Sequence, residues 1–423
     1  MLGAMQKDPV YGVRLETRRG ADSLSLSLML FMASNSIALS LMPIVGDDLQ
    51  KQFSFSSSQI GLLTSIYMVT FAIGAIPMGL AGARWGGRML IVGAGVFALG
   101  SILFAFSASY VWFLFARFLQ GAGSSTIIPV SNPLMAQTIG PRYQARALGI
   151  FGTGHGLGVV AALLIMPSIH EAGGYRWVFL ATAAIAVVIG AVALVQKAIR
   201  FRPKHDEGAA SFSVLVRGVG TVAANRRLIL LAVVNIGVMA IVVGVLAWTP
   251  AFLNDQRGAS LAVAAYLTAG IGVAQMLGNV AGAAAMARWG KPFVLLVGMA
   301  VMFAATALAP LAPGLGLVIA CVVVAGFLTM AVFPAIIGSV PEIVHRPDQV
   351  GPATGFLNLT NLVGTMLAPW LFGVLLDAYG TAEGDPGYLS GYLLLALFPL
   401  VGTIAAAFFA ASRKRPLPTG ETA

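Results

Sequence analysis

Charge is what this sequence has least of. Only 9% of its 423 residues are Asp, Glu, Lys or Arg, against about 25% in an ordinary soluble domain. So few charges cannot cover a water-facing surface. Hydrophobic residues make up 58%, and the solvent that accepts them on an outer surface is lipid. Cysteine is nearly absent. Cys321 is the one thiol, which excludes a disulfide framework and a Cys-rich zinc site. The four histidines, His155, His170, His205 and His345, are too scattered for a metal site. No cleavable signal peptide is evident. The first apolar run starts near Leu24, behind Lys7, Arg14, Arg18 and Arg19, and at about 22 residues it is long for a signal core.

Glycine and proline are plentiful, at 50 and 21 residues. Both are more frequent in membrane helices than in soluble ones, and glycine permits close helix approach. A hydrocarbon core of ~30 Å needs roughly 20 apolar residues per helix. Runs of that kind predict spans at 24–45, 60–81, 89–108, 110–135, 147–168 and 176–197. A second set follows at 228–252, 262–286, 293–312, 315–338, 353–376 and 390–411. The expected fold is an all-α membrane protein with about twelve transmembrane helices in two pseudo-symmetric six-helix bundles. The expected division is a tail (1–23), a bundle (24–197), a linker (198–227), a bundle (228–412) and a tail (413–423).

Orientation follows from Lys and Arg. With the N-terminus inside, 21 of the 25 basic residues fall in inner segments. Lys51, Arg176 and Arg257 fall outside, and Arg117 lies within a span. Both termini are therefore expected in the cytoplasm, in a plasma membrane of the bacterial inner-membrane kind. The net charge of +10 is then explained by topology, and nucleic acid is not expected as a partner. The expected surroundings are the lipid bilayer, with the chain acting as a monomer.

The halves repeat. Ala83-Arg84-Trp85-Gly86 recurs as Ala287-Arg288-Trp289-Gly290, 204 positions on. Pro43 and Pro250 lie near the ends of the first helices of their halves, and Gly121 and Pro129 pair with Gly326 and Pro334. In the fifth and eleventh spans, His155 and Gly158 pair with Asn361 and Gly364. An offset near 205, kept across equivalent elements, marks a parallel repeat of the kind found in transporters.

On these residues the chain resembles the major facilitator superfamily along nearly its whole length. The stretch Gly79-Leu80-Ala81-Gly82-Ala83-Arg84-Trp85-Gly86-Gly87-Arg88 is similar to that superfamily's Gly-x-x-x-Asp-Arg-x-Gly-Arg-Arg loop, which latches the halves. It departs at Ala83, where an Asp is usual, and at Gly87. Arg117-Phe118-Leu119-Gln120-Gly121-Ala122-Gly123 resembles the family's Arg-x-x-Gln-Gly-x-Gly element. Proton-coupled drug antiporters carry Gly-Pro-x-x-Gly in the fifth span, and here Gly154-His155-Gly156-Leu157-Gly158 puts His in place of Pro. The stretch 152–159 also resembles the Gly-rich fifth helix of nitrate/nitrite porters, but spans 60–81 and 262–286 lack the arginines those porters use. The resemblance implies a conformational set of Gly79, Arg84, Gly86, Arg88, Gln120, Gly121, Gly154, Gly158, Arg288 and Gly290.

Ionisable residues inside a membrane are functional candidates by default. Every Asp and Glu falls in a tail, a loop or a helix end, leaving Arg117 and His155 near the midplane. At 1.5 Å per residue they sit roughly 10 Å and 12 Å from opposite ends of antiparallel helices, so one cavity is expected to hold both. Arg117 has two readings. It clamps an anion through its planar fork, or it bonds backbone carbonyls and neighbouring polar side chains. His155 either carries a coupling proton, with a reference pKa of ~6.5, or stays neutral between glycine-lined helices. Asn35, Tyr67, Asn358 and Asn361 complete the expected substrate-binding set. Asn132, Asn235, Trp248, Gln275 and Asn279 are further polar positions that fit helix-to-helix bonding equally well.

No nucleophile–base spacing and no strand before the glycine run point to an enzyme or a nucleotide site, and no cofactor is expected. The expected function is a secondary active transporter moving a small-molecule substrate, an organic or inorganic anion, by alternating access. Proton-coupled efflux of drugs or metabolites is the alternative. Symport and antiport both stay open.

Overall fold

The computed structural model describes residues 5–6, 14–15, 17–196, 199, 225–344 and 347–412. Twelve helical spans follow one another among them. In the first half they are α1 (Arg18–Phe53), α2 (Ser57–Trp85), α3 (Arg88–Phe106), α4 (110–138), α5 (141–172) and α6 (175–195). In the second they are α7 (Arg226–Arg257), α8 (Leu261–Trp289), α9 (Lys291–Leu311), α10 (Leu315–Val344), α11 (Pro347–Tyr379) and α12 (Gly387–Ser412). Most of the linker expected at 198–227, and the tail 413–423, lie outside the described residues.

Several boundaries differ from the sequence expectation. The first span is a broken helix, Arg18–Leu39 then Met42–Phe53. Pro43 stands in the first turn of its second segment and supplies no N–H to the turn before. The fourth breaks likewise, into Tyr110–Ser124 and Ile127–Thr138, with Pro129 just past the break. The fifth and sixth are separated by Gly173 and Gly174 alone, Gly174 having a φ of +66°. The helices also outrun the apolar stretches. At 29 residues, α2 is about 43 Å long, more than a hydrocarbon core requires. A two-residue antiparallel ladder, β1 (Met5–Gln6) with β2 (Arg14–Leu15), adds strand pairing that the all-α expectation did not include. Ten stretches are long and apolar enough to cross a membrane by length and composition. One is the run 141–195 that the two glycines divide, and the broken α4 makes the twelfth crossing.

The sequence repeat is a repeat of geometry. Gly86 and Gly290 end α2 and α8 with φ of +65° and +79°, each donating its N–H to the carbonyl four residues back. Arg84 and Arg288 lie over the neighbouring rings of Trp85 and Trp289 at 5.8 and 5.5 Å. Positive φ is a natural requirement for glycine, so the shared tetrapeptide encodes a shared turn.

An even number of crossings puts both ends of each half on one face, here the terminal face. There Gln196 bonds Ser23 O at 3.2 Å and Arg227 bonds Ser412 O at 2.6 Å. The two halves meet along α2 with α11 and along α5 with α8. Toward the opposite face, α2 and α11 are in backbone contact. A methyl added at Gly61 would lie 2.3 Å from Pro369 O, and one at Gly373 would lie 2.4 Å from Ser57 O. Ser65 Oγ donates to Met366 O at 2.7 Å. The α5–α8 pair shows the same wedge. A methyl at Gly156 would meet Met276 Cγ at 2.3 Å, one at Gly152 only Asn279 at 3.9 Å, and one at Gly149 nothing within 4 Å. The halves are closed at the opposite face and part toward the terminal face.

One carboxylate pins the closed end. Asp377 on α11 accepts from the backbone N–H groups of Ser57 and Ser58, at 2.7 and 2.9 Å, across the gap between halves. These are orphan donors of the first turn of α2, where a negative charge also meets the positive end of the helix dipole. Asp377→Ala is expected to remove about 1 kcal/mol from this closure and shift the conformational population several-fold. Distances between spin labels at Phe55 and Thr381 should gain a longer component. An unchanged distribution would rule out the latch.

Candidate solute-binding site

The wedge between α5 and α8 encloses a cavity of about 300 Å³ between the halves. Its α5 wall carries Gly149, Gly152, Thr153 and His155, and its α8 wall carries Gln275, Met276 and Asn279. Small residues on α5 leave the room, and Gln275 and Asn279 of α8 line the other side. Gln275 is 2% exposed, yet neither its Nε2 nor its Oε1 has a hydrogen-bond partner among the described residues. His155 bonds Ser36 Oγ through Nδ1 at 2.8 Å, while its Nε2 is buried and without a partner. An unpaired buried polar atom costs about 1–3 kcal/mol. Three such atoms on one cavity are a cost that makes sense where a ligand supplies the partners. No group of histidine, cysteine and acidic residues among the described residues can hold a metal ion.

Arg117 does not line this cavity. It is fully buried in the first half. Its Nε donates to Leu63 O at 3.0 Å, and its Nη1 donates to Ala38 O at 3.1 Å and to Gln120 Oε1 at 2.9 Å. Gln120 in turn donates to Ser101 Oγ at 2.8 Å. The guanidinium lies 4.5 Å from the centre of the Tyr67 ring, a cation–π contact. Nη2 alone has no partner among the described residues. The bonds to carbonyls are those of the structural reading, one to α2 and one to the break in α1.

None of the other expected binding residues lines the cavity: Asn35 and Tyr67 group with Arg117, and Asn358 and Asn361 lie on α11. Asn35 is buried and accepts from Tyr67 at 2.6 Å, and Tyr67 also bonds Ser124 at 3.1 Å. Asn35 therefore belongs with Arg117, while its neighbour Ser36 holds His155. Asn361 accepts from Asn235 at 2.5 Å, tying α11 to α7, and Asn358 is exposed one turn away. Trp248 donates to Pro369 O at 3.0 Å and stacks on Phe372, a packing role. Of the conformational set, Gly154 and Gly158 seat α5 against α1, where added methyls would meet Met29 O and Ala33 O at 2.5 and 2.2 Å. Gly121 does the same for α4 on Tyr67 O. Arg84, Arg88 and Arg288 are exposed near the terminal face, and Gly79 keeps only ordinary contact with Pro129.

Sequence reasoning ranked Gln275 and Asn279 below the asparagines of α1 and α11. A signal existed: they are the two amides of α8, four residues apart and so on one helix face.

The Major Facilitator Superfamily model matches residues 24–313 and 252–423. The chain is 25% identical over 417 residues to a hexuronate transporter of Bacillus subtilis (strain 168), covering 90% of this chain and 96% of that protein. It is 28% identical over 220 residues to a probable 4-methylmuconolactone transporter of Cupriavidus pinatubonensis. That match takes in 49% of this chain and spans only about half, 50%, of the relative. A crystal structure of a bacterial homolog to the human lysosomal transporter Spinster, inward-facing and occupied, has the same fold, with a TM-score of 0.76 at 20% identity. That likeness covers 95% of this chain and 100% of the other. Twelve spans in two repeated halves, a cavity between the halves and a family match along nearly the whole length lead to one conclusion: this chain belongs to the Major Facilitator Superfamily and is a membrane transporter.

Proposed function

We propose that the chain carries a small hydroxylated organic solute, with sugar acids and related carboxylates as the leading class, by alternating access between α5 and α8. The observation that carries this reading is Gln275, a residue that lines the inter-half cavity and whose amide is buried and unpaired among the described residues. An amide offers donors and an acceptor together, which suits hydroxyl groups. The His155 Nε2 beside it suits a hydroxyl or a carboxylate. The hexuronate transporter matched along 90% of this chain supports the class. The surplus of Lys and Arg on the terminal side supports a cytoplasmic terminal face, so the conformation described is the inward-open one. The single unpaired Nη2 of Arg117 suits an anion only in a conformation where Tyr67 has moved aside.

Proton-coupled efflux is the second reading, favoured by the buried Arg117–Gln120 pair. In either reading His155 is the proposed proton carrier. His155→Gln keeps a polar side chain and should flatten the pH dependence of flux, and an unaltered profile would make His155 structural.

The direct test is Gln275→Leu. Replacing an unpaired buried amide with an apolar group of similar size removes a desolvation cost, so thermal stability should hold or rise. Binding of a hydroxylated carboxylate should weaken by tenfold or more, on the order of 1.4 kcal/mol for lost hydrogen bonds. Glucuronate-driven flux in proteoliposomes is the readout. Wild-type flux in the variant across a panel of sugar acids would sink the proposal.

A further inference from the structure

An apolar groove of about 470 Å³ lies among α8, α9 and α10 in the second half, running from the middle of the bundle to the terminal face. Phe327 stands at its inner part, Ala284 and Val297 line its length, and Arg288, Trp289 and Phe293 stand at its outer end. Trp289, Phe293 and Val297 are 56%, 47% and 39% exposed. The groove is on the outer side of the α8–α9 turn, away from the wedge between the halves. Trp289 packs against Phe293 at 5.7 Å, and Arg288 lies over the Trp289 ring. No carboxylate among the described residues forms an ion pair with Arg288. Its basic neighbour Lys291 is held by Glu342 at 2.6 Å.

We propose that this groove holds an acyl chain of an anionic phospholipid, whose phosphate is bound by Arg288. Three features fit that occupant. The walls are apolar for the length of the cavity, which suits a hydrocarbon tail. Tryptophan stands at the end of the groove, where aromatic residues sit at headgroup level. The guanidinium presents a planar fork that matches phosphate oxygens, next to the point where a chain would leave the groove. Basic pockets between membrane helices are suited to anionic headgroups.

The repeat supplies an internal control. The same tetrapeptide ends α2, but the recess beside it is only about 90 Å³, filled from α4 by Pro129 and Pro133. Ile199 closes its end, where a methyl on Gly87 would lie 2.5 Å from the Ile199 carbonyl. Arg84 therefore has the charge and the tryptophan without the groove.

The experiment titrates the purified full chain with phosphatidylglycerol and with phosphatidylcholine, counting bound lipids by native mass spectrometry. Wild type should retain phosphatidylglycerol about tenfold more tightly, as a charge-assisted hydrogen bond would give. Arg288→Gln should erase the preference, Arg288→Lys should keep part of it, and Arg84→Gln should leave it intact. Ala284→Phe, on an exposed position of the groove, should lower retention of both lipids. The proposal is overturned if Arg288→Gln keeps the preference, or if Arg84→Gln loses it equally. It is also overturned if Ala284→Phe dissociates a dimer of the wild-type chain, since a second copy would then fill the groove.

Discussion

Gly61→Leu is expected to abolish transport while leaving the protein folded. Gly61 sits where α2 crosses α11, and its partner is backbone, since an added methyl would stand 2.3 Å from Pro369 O and 2.9 Å from its carbonyl carbon. Backbone cannot rotate away as a side-chain tip does. The two helices belong to different halves, so the clash is relieved by holding the halves apart at the opposite face. The variant should therefore be arrested open on that face, with flux below about 1% of wild type, since the closed state would be disfavoured by several kcal/mol. Gly158→Leu makes the control. An added methyl there would stand 2.2 Å from Ala33 O, but α5 and α1 belong to the same half. That clash has no conformational escape, and overpacking of this kind destabilises by about 1–3 kcal/mol or more. Gly158→Leu should insert poorly and melt early, whereas Gly61→Leu should melt near wild type. Spin-label distances across the opposite face should lengthen in Gly61→Leu alone. Transport by Gly61→Leu at the wild-type rate would show that the closed α2–α11 contact is not part of the cycle.

Arg117→Gln is expected to cost stability before it costs affinity. Arg117 donates to two backbone carbonyls on two different helices and to Gln120, all in a sealed interior. Shortening the side chain withdraws these bonds and leaves buried acceptors behind. At about 1–3 kcal/mol for each of the two carbonyl acceptors left behind, a loss of roughly 2–6 kcal/mol follows. It should appear without any substrate present. Arg117→Lys keeps the charge, but one ammonium on a flexible stem does not reproduce the fork that spans Leu63 and Ala38, so it should recover only part of the loss. An anion-clamp role predicts a different order. The apo variants would then be equally stable, and affinity for a carboxylate would fall from Arg through Lys to Gln. Thermal melts with and without glucuronate separate the two outcomes. Equal apo stability of all three proteins would overturn the stabilising role argued here.

The twelve spans and the two halves were legible because hydropathy and repetition are written along the chain. The shared Ala-Arg-Trp-Gly turn was visible as letters before it was visible as a positive φ. The breaks were harder. Pro43 and Pro129 announce that a hydrogen bond is missing, but a proline near the middle of an apolar run can kink a helix or end it. The neighbouring halves decide which. The fate of Arg117 was illegible for a related reason. Its depth could be counted from the sequence, but the direction of its side chain depends on α1 breaking where Ala38 O is offered. His155 was singled out by elimination, and Gln275 stood among the further polar positions. Whether an amide bonds a neighbouring helix or stands unpaired depends on the partner helix, as Asn235 with Asn361 shows against Gln275. Position 83 holds Ala where the family's loop has an Asp. The inter-half carboxylate of this structure is Asp377, at the other end of the molecule.

No ion pair among the described residues joins the halves at the closed face, where attraction from Lys51 and repulsion from Asp47 oppose one another on Asp255. The contacts that join the halves there are glycine-to-backbone approaches, a serine hydroxyl on a carbonyl, and one carboxylate on amide N–H groups. Every ion pair among the described residues stays within its own half. Exposed charge pairs weaken as salt rises, because the screening length contracts to about 3 Å at 1 M. Short-range contacts do so far less, and among those named only the Asp377 carboxylate at its helix end feels the screening. The balance between open and closed forms should therefore barely respond to ionic strength, and the same resting state should persist from dilute buffer to brine.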